Sequence, residues 1–246
     1  MDNSEYFLFD IRRLTAGGKS RNLYDSLYQE RDLEQIQSFY LWLMDRMYLP
    51  KSGRLLDVSC GAGELVRLAT AAGMQAQGLD ISEIVARTAF SRARGMITVG
   101  AGEDLPFADA SFDIVTNIGS LEHFTDPLAG TVEMARVLKR TGRAFILVPN
   151  TFSLLNNVWT AFRTGRTAVD EQPIQRYGAR ADWVALIRAG GLAVRQTIKY
   201  ERAWPRLARD WHYYLSRPKE LLRLLATPFV PLNLAWCFLF VCELPD

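Results

Sequence analysis

The chain has 246 residues, of which 49% are apolar and 23% are charged, and its formal net charge is +2. This length and balance exclude a disordered or fibrous chain and suit one large α/β domain with insertions. The near balance of 29 basic and 27 acidic residues gives no overall field that would favour nucleic acid as a partner. The first residues lack the basic and apolar stretches of a secretory signal, so we expect a cytoplasmic protein.

The cysteines and the most apolar segment exclude two further classes of protein. Cys60, Cys237 and Cys242 are too few for a disulfide framework and are not paired with histidines at zinc-ligand spacing, so we expect reduced thiols and no metal. Residues 232–242 are about half as long as a membrane-spanning helix must be, and two prolines precede them. This segment is predicted to be a buried strand.

The first predicted element is a helix packed on the main body, because apolar residues recur at helical spacing from Asp32 to Met47. From Arg54 onward, short apolar runs alternate with helical segments, which is the pattern of βαβ units around a parallel sheet. The predicted strands of this region are residues 54–58, 75–80, 96–99, 112–116 and 143–148. The predicted helices are residues 64–72, 83–93 and 127–140, and Ser82 is the expected N-cap of the second.

The alternation stops after the fifth predicted strand. Residues 150–177 and 203–231 interrupt the rhythm and are predicted to be insertions over the functional site. A helix at 181–189 and a strand at 192–200 are predicted between them, and the apolar run 234–243 is predicted to be the final strand.

A glycine-rich turn follows the first strand of the alternating region. Its sequence is Asp57-Val58-Ser59-Cys60-Gly61-Ala62-Gly63. Glycines in such a turn let a ligand approach the backbone because they have no Cβ. The next strand ends in Asp80, at the edge where ligands of open α/β sheets bind, and a carboxylate there can accept both hydroxyls of a ribose. A dinucleotide fingerprint would require a small residue at Val66, so nicotinamide cofactors are disfavoured.

Two later motifs make the pattern specific. They are Gly102-Glu103-Asp104-Leu105-Pro106-Phe107, followed by Ser111-Phe112-Asp113, and Ser120-Leu121-Glu122-His123-Phe124. With the glycine turn and Asp80, they resemble the class I S-adenosylmethionine-dependent methyltransferases, especially the subgroup of quinone-biosynthesis, small-molecule and glycan methyltransferases. The resemblance covers residues 50–150. It implies a Rossmann-like, doubly wound α/β fold with a mostly parallel seven-stranded sheet, whose antiparallel last strand forms a hairpin with its predecessor.

The resemblance also implies which residues bind S-adenosyl-L-methionine. Asp57, Gly61 and Gly63 match the positions that hold the methionine end, and Asp80 matches the position that holds the ribose. Ile81, Gly102 and Glu103 match positions around the adenine. Asn117 and Ile118 match positions below the sulfonium. Ser59, Cys60 and Ala62 complete the predicted set. Two positions depart from the family: Ser59 stands where the first glycine of the turn is usual, and Ala101 stands where an aspartate often accepts from the adenine amino group.

The acceptor side carries no fixed motif. Alignment of the nucleophile with the methyl group can supply much of the acceleration, and a general base for an oxygen acceptor need not come from a set position. His123, His212 and Tyr177 are the candidate catalytic residues, because histidine is best suited to take a proton near neutral pH and Tyr177 follows the first insertion. Packing roles are the alternative for both histidines.

A basic and aromatic segment follows the strand predicted at 192–200. Residues 195–223 contain eight basic and three acidic residues, interleaved with tryptophans and tyrosines. Trp204, Arg206, Arg209 and Trp211 make it a candidate surface for an anionic acceptor or for the headgroups of an anionic membrane. A solvated basic helix is the alternative.

We therefore expect one methyltransferase domain over residues 1–246. It is divided into a helical N-terminal segment (1–50), a cofactor-binding core (51–150) and acceptor-side insertions (151–177 and 203–231). The expected acceptor is a small metabolite, a sugar or a lipid-linked intermediate, methylated at oxygen, with nitrogen and carbon as the alternative acceptor atoms. The sequence leaves the oligomeric state open.

Other functions are weighed against this expectation. Asn117 is followed by Ile118-Gly119-Ser120 instead of the motif of amino-directed base methyltransferases, which argues against a nucleic-acid base as acceptor. Two alternatives stay open: an S-adenosylmethionine-binding protein without catalysis, which Ala101 favours, and a nicotinamide-dependent dehydrogenase, which Val66 disfavours.

Overall fold

The computed structural model describes residues 8–14, 24–26, 35–93, 96–169 and 172–246. The strands are β1 (Phe9–Leu14), β2 (Arg54–Val58), β3 (Gln75–Asp80), β4 (Met96–Val99), β5 (Phe112–Ile118), β6 (Leu138–Pro149), β7 (Ile174–Gly178), β8 (Ala193–Tyr200) and β9 (Cys237–Glu243). The helices are α1 (Gln37–Met47), α2 (Glu64–Ala71), α3 (Glu83–Ala93), α4 (Pro127–Val137), α5 (Trp159–Thr164), α6 (Arg180–Ala189), α7 (Ala208–Leu215) and α8 (Pro218–Ala226).

Seven strands form one sheet in the order β4-β3-β2-β5-β6-β9-β8. The five strands from β2 to β6 run parallel, whereas β9 runs antiparallel between β6 and β8. This confirms the predicted doubly wound fold with its final hairpin. Because β9 is antiparallel, Tyr200 at the end of β8 pairs with Cys237 at the start of β9, at the carboxyl edge of the parallel strands.

Apolar layers cover both faces of the sheet. Successive residues of a strand point to opposite faces, so Leu55 packs in the layer that contains α1 and α2, and Leu56 packs in the layer that contains α4 and α6. Phe145 and Ile146 of β6 divide in the same way. Strands buried on both faces explain why the core strands read as continuous apolar runs in the sequence.

The predicted core elements agree with the structure except at some ends. The bounds of β2, β3, β4 and α3 are those predicted, and Val85 N–H donates to Ser82 Oγ at 3.3 Å, as expected of an N-cap. The helix predicted to reach Arg140 ends at Val137, because Leu138 pairs with Phe112 and opens β6. Lys139 and Arg140 favour helices on their own, and the sheet overrides that preference. In the apolar run predicted from residue 234, the strand β9 begins only at Cys237.

The N-terminal part of the chain corrects one prediction. Residues 1–50 are not helical throughout, because β1 lies there and pairs antiparallel with β7 in a second, two-stranded sheet. The segment 150–177, predicted to be an insertion, contains a π-helical turn at Leu154–Val158, then α5, then β7. Of the predicted helix from Asp32 to Met47, residues 32–34 lie outside the described residues and α1 begins at Gln37.

The second insertion packs on α1. Its helices α7 and α8 follow β8, and Asp210 of α7 accepts hydrogen bonds from the backbone N–H and the hydroxyl of Ser38. Arg206 donates through its backbone N–H to Ser38 Oγ at 2.7 Å and pairs with Asp45 through its side chain. In the described part of the chain, no helix is both long and apolar enough to cross a membrane.

Candidate active site

A cavity of about 1290 Å³ lies at the carboxyl edge of the sheet. Because a single drug-sized ligand occupies roughly 300–1000 Å³, this cavity has room for two small molecules. The predicted site residues that line it are Asp57, Ser59, Cys60, Gly61, Ala62, Asp80, Ile81, Gly102, Glu103, Ile118, His123 and Tyr177. Gly63, Asn117 and His212 do not belong to its lining.

The turn between β2 and α2 is held in the left-handed backbone region. Ser59, Gly61 and Gly63 have φ angles of 62°, 52° and 79°. For Ser59 this conformation costs roughly 1–2 kcal/mol, because its Cβ crowds the following carbonyl oxygen. Ser59 therefore keeps the turn that the usual glycine would form, at a cost in stability.

Asp80 faces this turn from the end of β3. Its Oδ2 accepts from Gly61 N–H at 3.0 Å, and its Oδ1 accepts from Ser82 N–H at 2.9 Å. Burial raises the pKa of Asp80 to about 6, although the backbone N–H groups act in the opposite sense. The carboxylate is thus oriented by the backbone and desolvated, so a ligand that donates hydrogen bonds to it would gain more than it would in water.

Asp57 supplies a second buried carboxyl group. Its Oδ1 accepts from the hydroxyl of Thr116 at 2.7 Å. Burial raises the pKa of Asp57 to about 7; the hydrogen bond from Thr116 lowers it and the nearby Asp80 carboxylate raises it further. Two partly protonated acids in one desolvated site favour a ligand that brings hydroxyl groups or positive charge.

Gly63 and Asn117 support the site from outside the cavity. A Cβ on Gly63 would lie 2.9 Å from the Cβ of Ala89, so this glycine allows α2 and α3 to pack closely. Asn117 donates to Val58 O at 3.3 Å and accepts from Leu121 N–H at 2.9 Å. Its side chain joins the end of β2 to the loop after β5 and is fully buried.

Gly102 and Glu103 lie in the loop after β4. A Cβ on Gly102 would lie 2.3 Å from the ring of Phe124, so only glycine fits between β2 and that ring. Glu103 Oε1 accepts from Thr125 N–H at 2.9 Å, which ties this loop to the loop after β5. Ala101 also lines the cavity, and its side chain offers no acceptor there.

His123 lies after β5, with its ring fixed by the first insertion. Its Nδ1 is 2.5 Å from the carbonyl oxygen of Ile174, which can only accept, so Nδ1 carries a proton. Its Nε2 is 3.7 Å from Oε1 of Glu122, a buried carboxylate that also lines the cavity. Nε2 is therefore the ring nitrogen at which this histidine gains or loses a proton.

Tyr177 enters the cavity from β7. Its hydroxyl accepts from Gln175 Nε2 at 3.2 Å, and the guanidinium carbon of Arg12 lies 4.0 Å from the centre of its ring. The two-stranded sheet that the sequence did not predict thus fixes Tyr177 from both sides.

Known proteins that resemble this chain include methyltransferases. The family model described as a methyltransferase domain matches residues 56–146. Demethylmenaquinone methyltransferase of Thermotoga maritima is 31% identical over 163 residues, a match that covers 59% of this chain and 71% of that protein. The chain belongs to the S-adenosylmethionine-dependent methyltransferase family.

Other relatives of this family differ in their acceptors. The 27-O-demethylrifamycin SV methyltransferase of Amycolatopsis mediterranei is 34% identical over 138 residues, covering 51% of each chain. Over the first curated relatives, the match spans 51–63% of their length. The solved geranyl diphosphate C-methyltransferase of Streptomyces coelicolor, which contains S-adenosyl-L-homocysteine, has a TM-score of 0.62 at 16% identity and covers 85% of this chain and 76% of that one. At this identity the likeness concerns the fold alone.

The structure does not bring His212 to the methyltransferase cavity. His212 is exposed on α7, on the insertion that packs against α1. Two of the basic residues predicted to face a ligand, Arg206 and Arg209, are engaged with Asp45 and Gln37 of the α1 region. No described residue of 203–231 lines the cavity, so the prediction that this insertion contributes to the acceptor pocket is wrong.

The sequence also missed residues that do line it. Among them are Phe39, Tyr40, Glu122, Gln175, Arg176, Tyr200, Trp236 and Cys237. Arg176 donates to the carbonyls of Glu122 and Thr125 at 3.4 and 3.1 Å, and so fixes the loop after β5. Tyr200 and Trp236 lie at the carboxyl-edge ends of the predicted final hairpin. The rule that ligands bind at that edge would have found them.

Proposed function

We propose that the chain binds S-adenosylmethionine and transfers its methyl group to a small-molecule acceptor, the described residues acting as one domain. The observation that carries this proposal is the pair of buried carboxyl groups, Asp57 and Asp80, beside the glycine turn of a cavity with room for a second molecule. When bound, S-adenosylmethionine supplies an activated methyl group on a positively charged sulfur. Its ribose hydroxyls and its ammonium group can donate hydrogen bonds to buried carboxylates.

Asp80 would hold the ribose. A carboxylate has about four acceptor positions, so the bonds from Gly61 and Ser82 leave capacity for the ribose hydroxyls. These backbone bonds also fix the carboxylate before the ligand arrives, which reduces the entropy lost on binding. Asp57 and the turn at Gly61 would hold the methionine end.

His123 is the proposed general base for an oxygen acceptor. Nε2 of His123 would take the proton of the acceptor hydroxyl as that oxygen is methylated, and Glu122 would stabilise the imidazolium that results. Burial raises the pKa of the Tyr200 phenol and of the Cys237 thiol, so both stay protonated and are poor bases.

The proposed acceptor is a small metabolite, a sugar or a lipid-linked intermediate, methylated at oxygen. An aromatic wall borders the cavity on the side of β8 and β9: the rings of Tyr200 and Trp236 stack with centroids 5.8 Å apart, and Phe39 meets Tyr200 edge-on at 5.1 Å. Such a wall suits the apolar face of a sugar or of a ring system. The proposed location is the cytoplasm, with peripheral contact to the membrane when the acceptor is lipid-linked.

The experiment that tests this function is a screen for transfer of labelled methyl groups. The purified protein would be incubated with methyl-labelled S-adenosylmethionine and with sets of hydroxylated metabolites, sugars and lipid-linked intermediates. We expect transfer to one class, at oxygen. Binding of the donor without transfer to any class would instead favour a binding protein without catalysis.

A further inference from the structure

Most of the exposed large apolar side chains in the described residues belong to the two insertions. They are Phe152, Val158, Trp159, Phe162, Val169, Trp204, Trp211, Leu215, Leu222, Leu225 and Phe229. Single exposed apolar residues are ordinary on soluble proteins, but a concentration in two segments marks an interaction surface.

Helix α8 presents one apolar stripe. Leu222 and Leu225 are three residues apart and so lie on the same face, while Leu224 is fully buried on the inner face. Phe229, just after the helix, is 84% exposed. Lys199 holds this end of the segment by donating to the carbonyls of residues 227, 228 and 230. The stripe is therefore a fixed surface of the fold.

Helix α5 presents a second stripe. Trp159 and Phe162 are again three residues apart, and Phe162 is 80% exposed. The two stripes lie on adjoining elements, because Arg223 of α8 donates to the carbonyl of Leu155 at 3.1 Å, in the turn that leads into α5. We name the surface formed by Trp159, Phe162, Leu222, Leu225 and Phe229 the insertion face.

Among the described residues around this face, the exposed charges are positive. Arg163, Arg166, Arg217 and Lys219 are exposed in the same segments. Asp210 is buried against Ser38, and Glu220 is held by Arg202 at 2.6 Å and by Arg223 at 2.9 Å, while Asp170 and Glu171 lie outside the described residues. The described surface thus combines apolar stripes with exposed positive charge, which is complementary to an anionic bilayer.

We propose that the insertion face docks the protein on the surface of an anionic membrane. The apolar side chains enter the region between headgroups and acyl chains, and Arg163, Arg166, Arg217 and Lys219 contact the headgroups. The chain passes the cavity just before and just after these insertions, since Pro149 precedes the first insertion, Trp236 follows the second, and both residues line the cavity. The inference rests on the proposed function only where it links this contact to a lipid-linked acceptor.

The experiment is co-sedimentation of the full chain with vesicles of phosphatidylglycerol mixed with phosphatidylcholine, and with vesicles of phosphatidylcholine alone. We expect binding to the anionic vesicles that weakens as salt rises. The double variant Phe162→Ser with Leu222→Ser should reduce that binding by about tenfold or more, because two side chains no longer enter the apolar region. Lys219→Glu should reduce binding to the anionic vesicles more at low salt than at high salt.

Phe90→Ser is the matched control, since Phe90 is similarly exposed on α3, away from the insertions. It should bind vesicles as the unchanged protein does. Titration of each variant with S-adenosylmethionine separates the membrane-docking proposal from the proposed function. We expect the insertion-face variants to lose vesicle binding and to keep their affinity for S-adenosylmethionine. Two results would overturn the inference: no binding to anionic vesicles at low salt, or a dimer of the chain that only the insertion-face variants dissociate.

Discussion

The two ends of the cavity, the proposed donor end and the proposed acceptor end, differ in how the chain builds them. The proposed donor end is made by a turn and an acid that follow neighbouring strands, with Asp80 held by Gly61 and Ser82. The proposed acceptor end gathers His123, Tyr177, Tyr200 and Trp236 from four separate parts of the chain. A donor shared by a whole family can be bound by a short local motif, whereas acceptors vary and are met by insertions on the same scaffold. The difference predicts distinct effects of mutation at the two ends.

The largest effect is expected at the acceptor end. His123→Asn keeps a donor near the carbonyl of Ile174 but removes the base, so turnover of the acceptor should fall by about 100-fold or more while donor affinity stays unchanged. His212→Asn is the matched control and should have no effect, because His212 is exposed outside the cavity. Steady-state kinetics and donor titrations measure both. Equal loss of donor affinity in His123→Asn would remove the distinction between the two ends.

At the donor end, Asp80→Ala should weaken binding of S-adenosylmethionine by about 2–4 kcal/mol, because up to two charge-assisted hydrogen bonds to the ribose are lost. The fold should persist, since β3 and its neighbours keep their backbone pairing. Calorimetry gives the affinity, and circular dichroism checks the fold. An unchanged dissociation constant in a folded variant would exclude Asp80 from the site.

The free energy of unfolding of the ligand-free protein should also depend on pH, because the Asp57 carboxyl group is buried. Burial raises the pKa of Asp57 from its ordinary value of 3.8 to about 7, so the folded state binds more protons than the unfolded state between these two pH values. Stability therefore falls as the pH rises through it. Asp57→Asn keeps an acceptor for Thr116 and should raise the free energy of unfolding at pH 8 by about 2 kcal/mol. Urea unfolding at pH 8 and at pH 5 measures this, and a variant that is less stable at pH 8 would contradict it.

A smaller change should improve donor binding. Glu103 Oε1 already accepts from Thr125 N–H, and the side chain of Ala101 offers no acceptor to the adenine amino group. Ala101→Asp should therefore increase affinity for S-adenosylmethionine by about 1.5 kcal/mol, through one charge-assisted hydrogen bond. Ala101→Asn tests how much of the gain needs the charge. If both variants bind more weakly than the unchanged protein, the adenine does not lie at this position.

The smallest effect concerns the turn itself. Ser59→Gly should stabilise the fold by about 0.5–1 kcal/mol, because glycine adopts a φ of 62° without steric cost but loses more chain entropy on folding. Ala110→Gly relieves a similar φ of 48° outside the cavity and serves as the comparison. Both should raise the unfolding midpoint, and a lower midpoint for Ser59→Gly would mean that its hydroxyl contributes more than the strain costs.

The sequence predicted cavity-lining residues at the proposed donor end because the signals there are local. A buried strand, a glycine turn and an acid at the end of the next strand all lie within residues 54–80. Their spacing along the chain is enough to predict that they meet at one edge of the sheet. Gly63 and Asn117 were assigned to the cofactor from the same motif, although the structure shows them packing and bonding behind the cavity. A family motif includes residues that shape the site as well as residues that touch the ligand.

The acceptor end could not be predicted because distant parts of the chain form it. Strand β7 is short and polar, and it exists as a strand through its pairing with β1, more than 150 residues earlier. Tyr200 and Trp236 meet because β9 returns antiparallel beside β8 after the second insertion. His212 is a candidate by residue type alone, with an exposed or packing role as the alternative, and the structure places it exposed on α7.

The central claim is that the turn at Ser59 to Gly63, with Asp57 and Asp80, binds S-adenosylmethionine. Titration calorimetry of the unchanged protein with S-adenosylmethionine, its demethylated product and NADH tests it most directly. The account predicts saturable binding, with one site per chain, of the first two ligands and none of NADH. Saturable binding of NADH without binding of S-adenosylmethionine would contradict it.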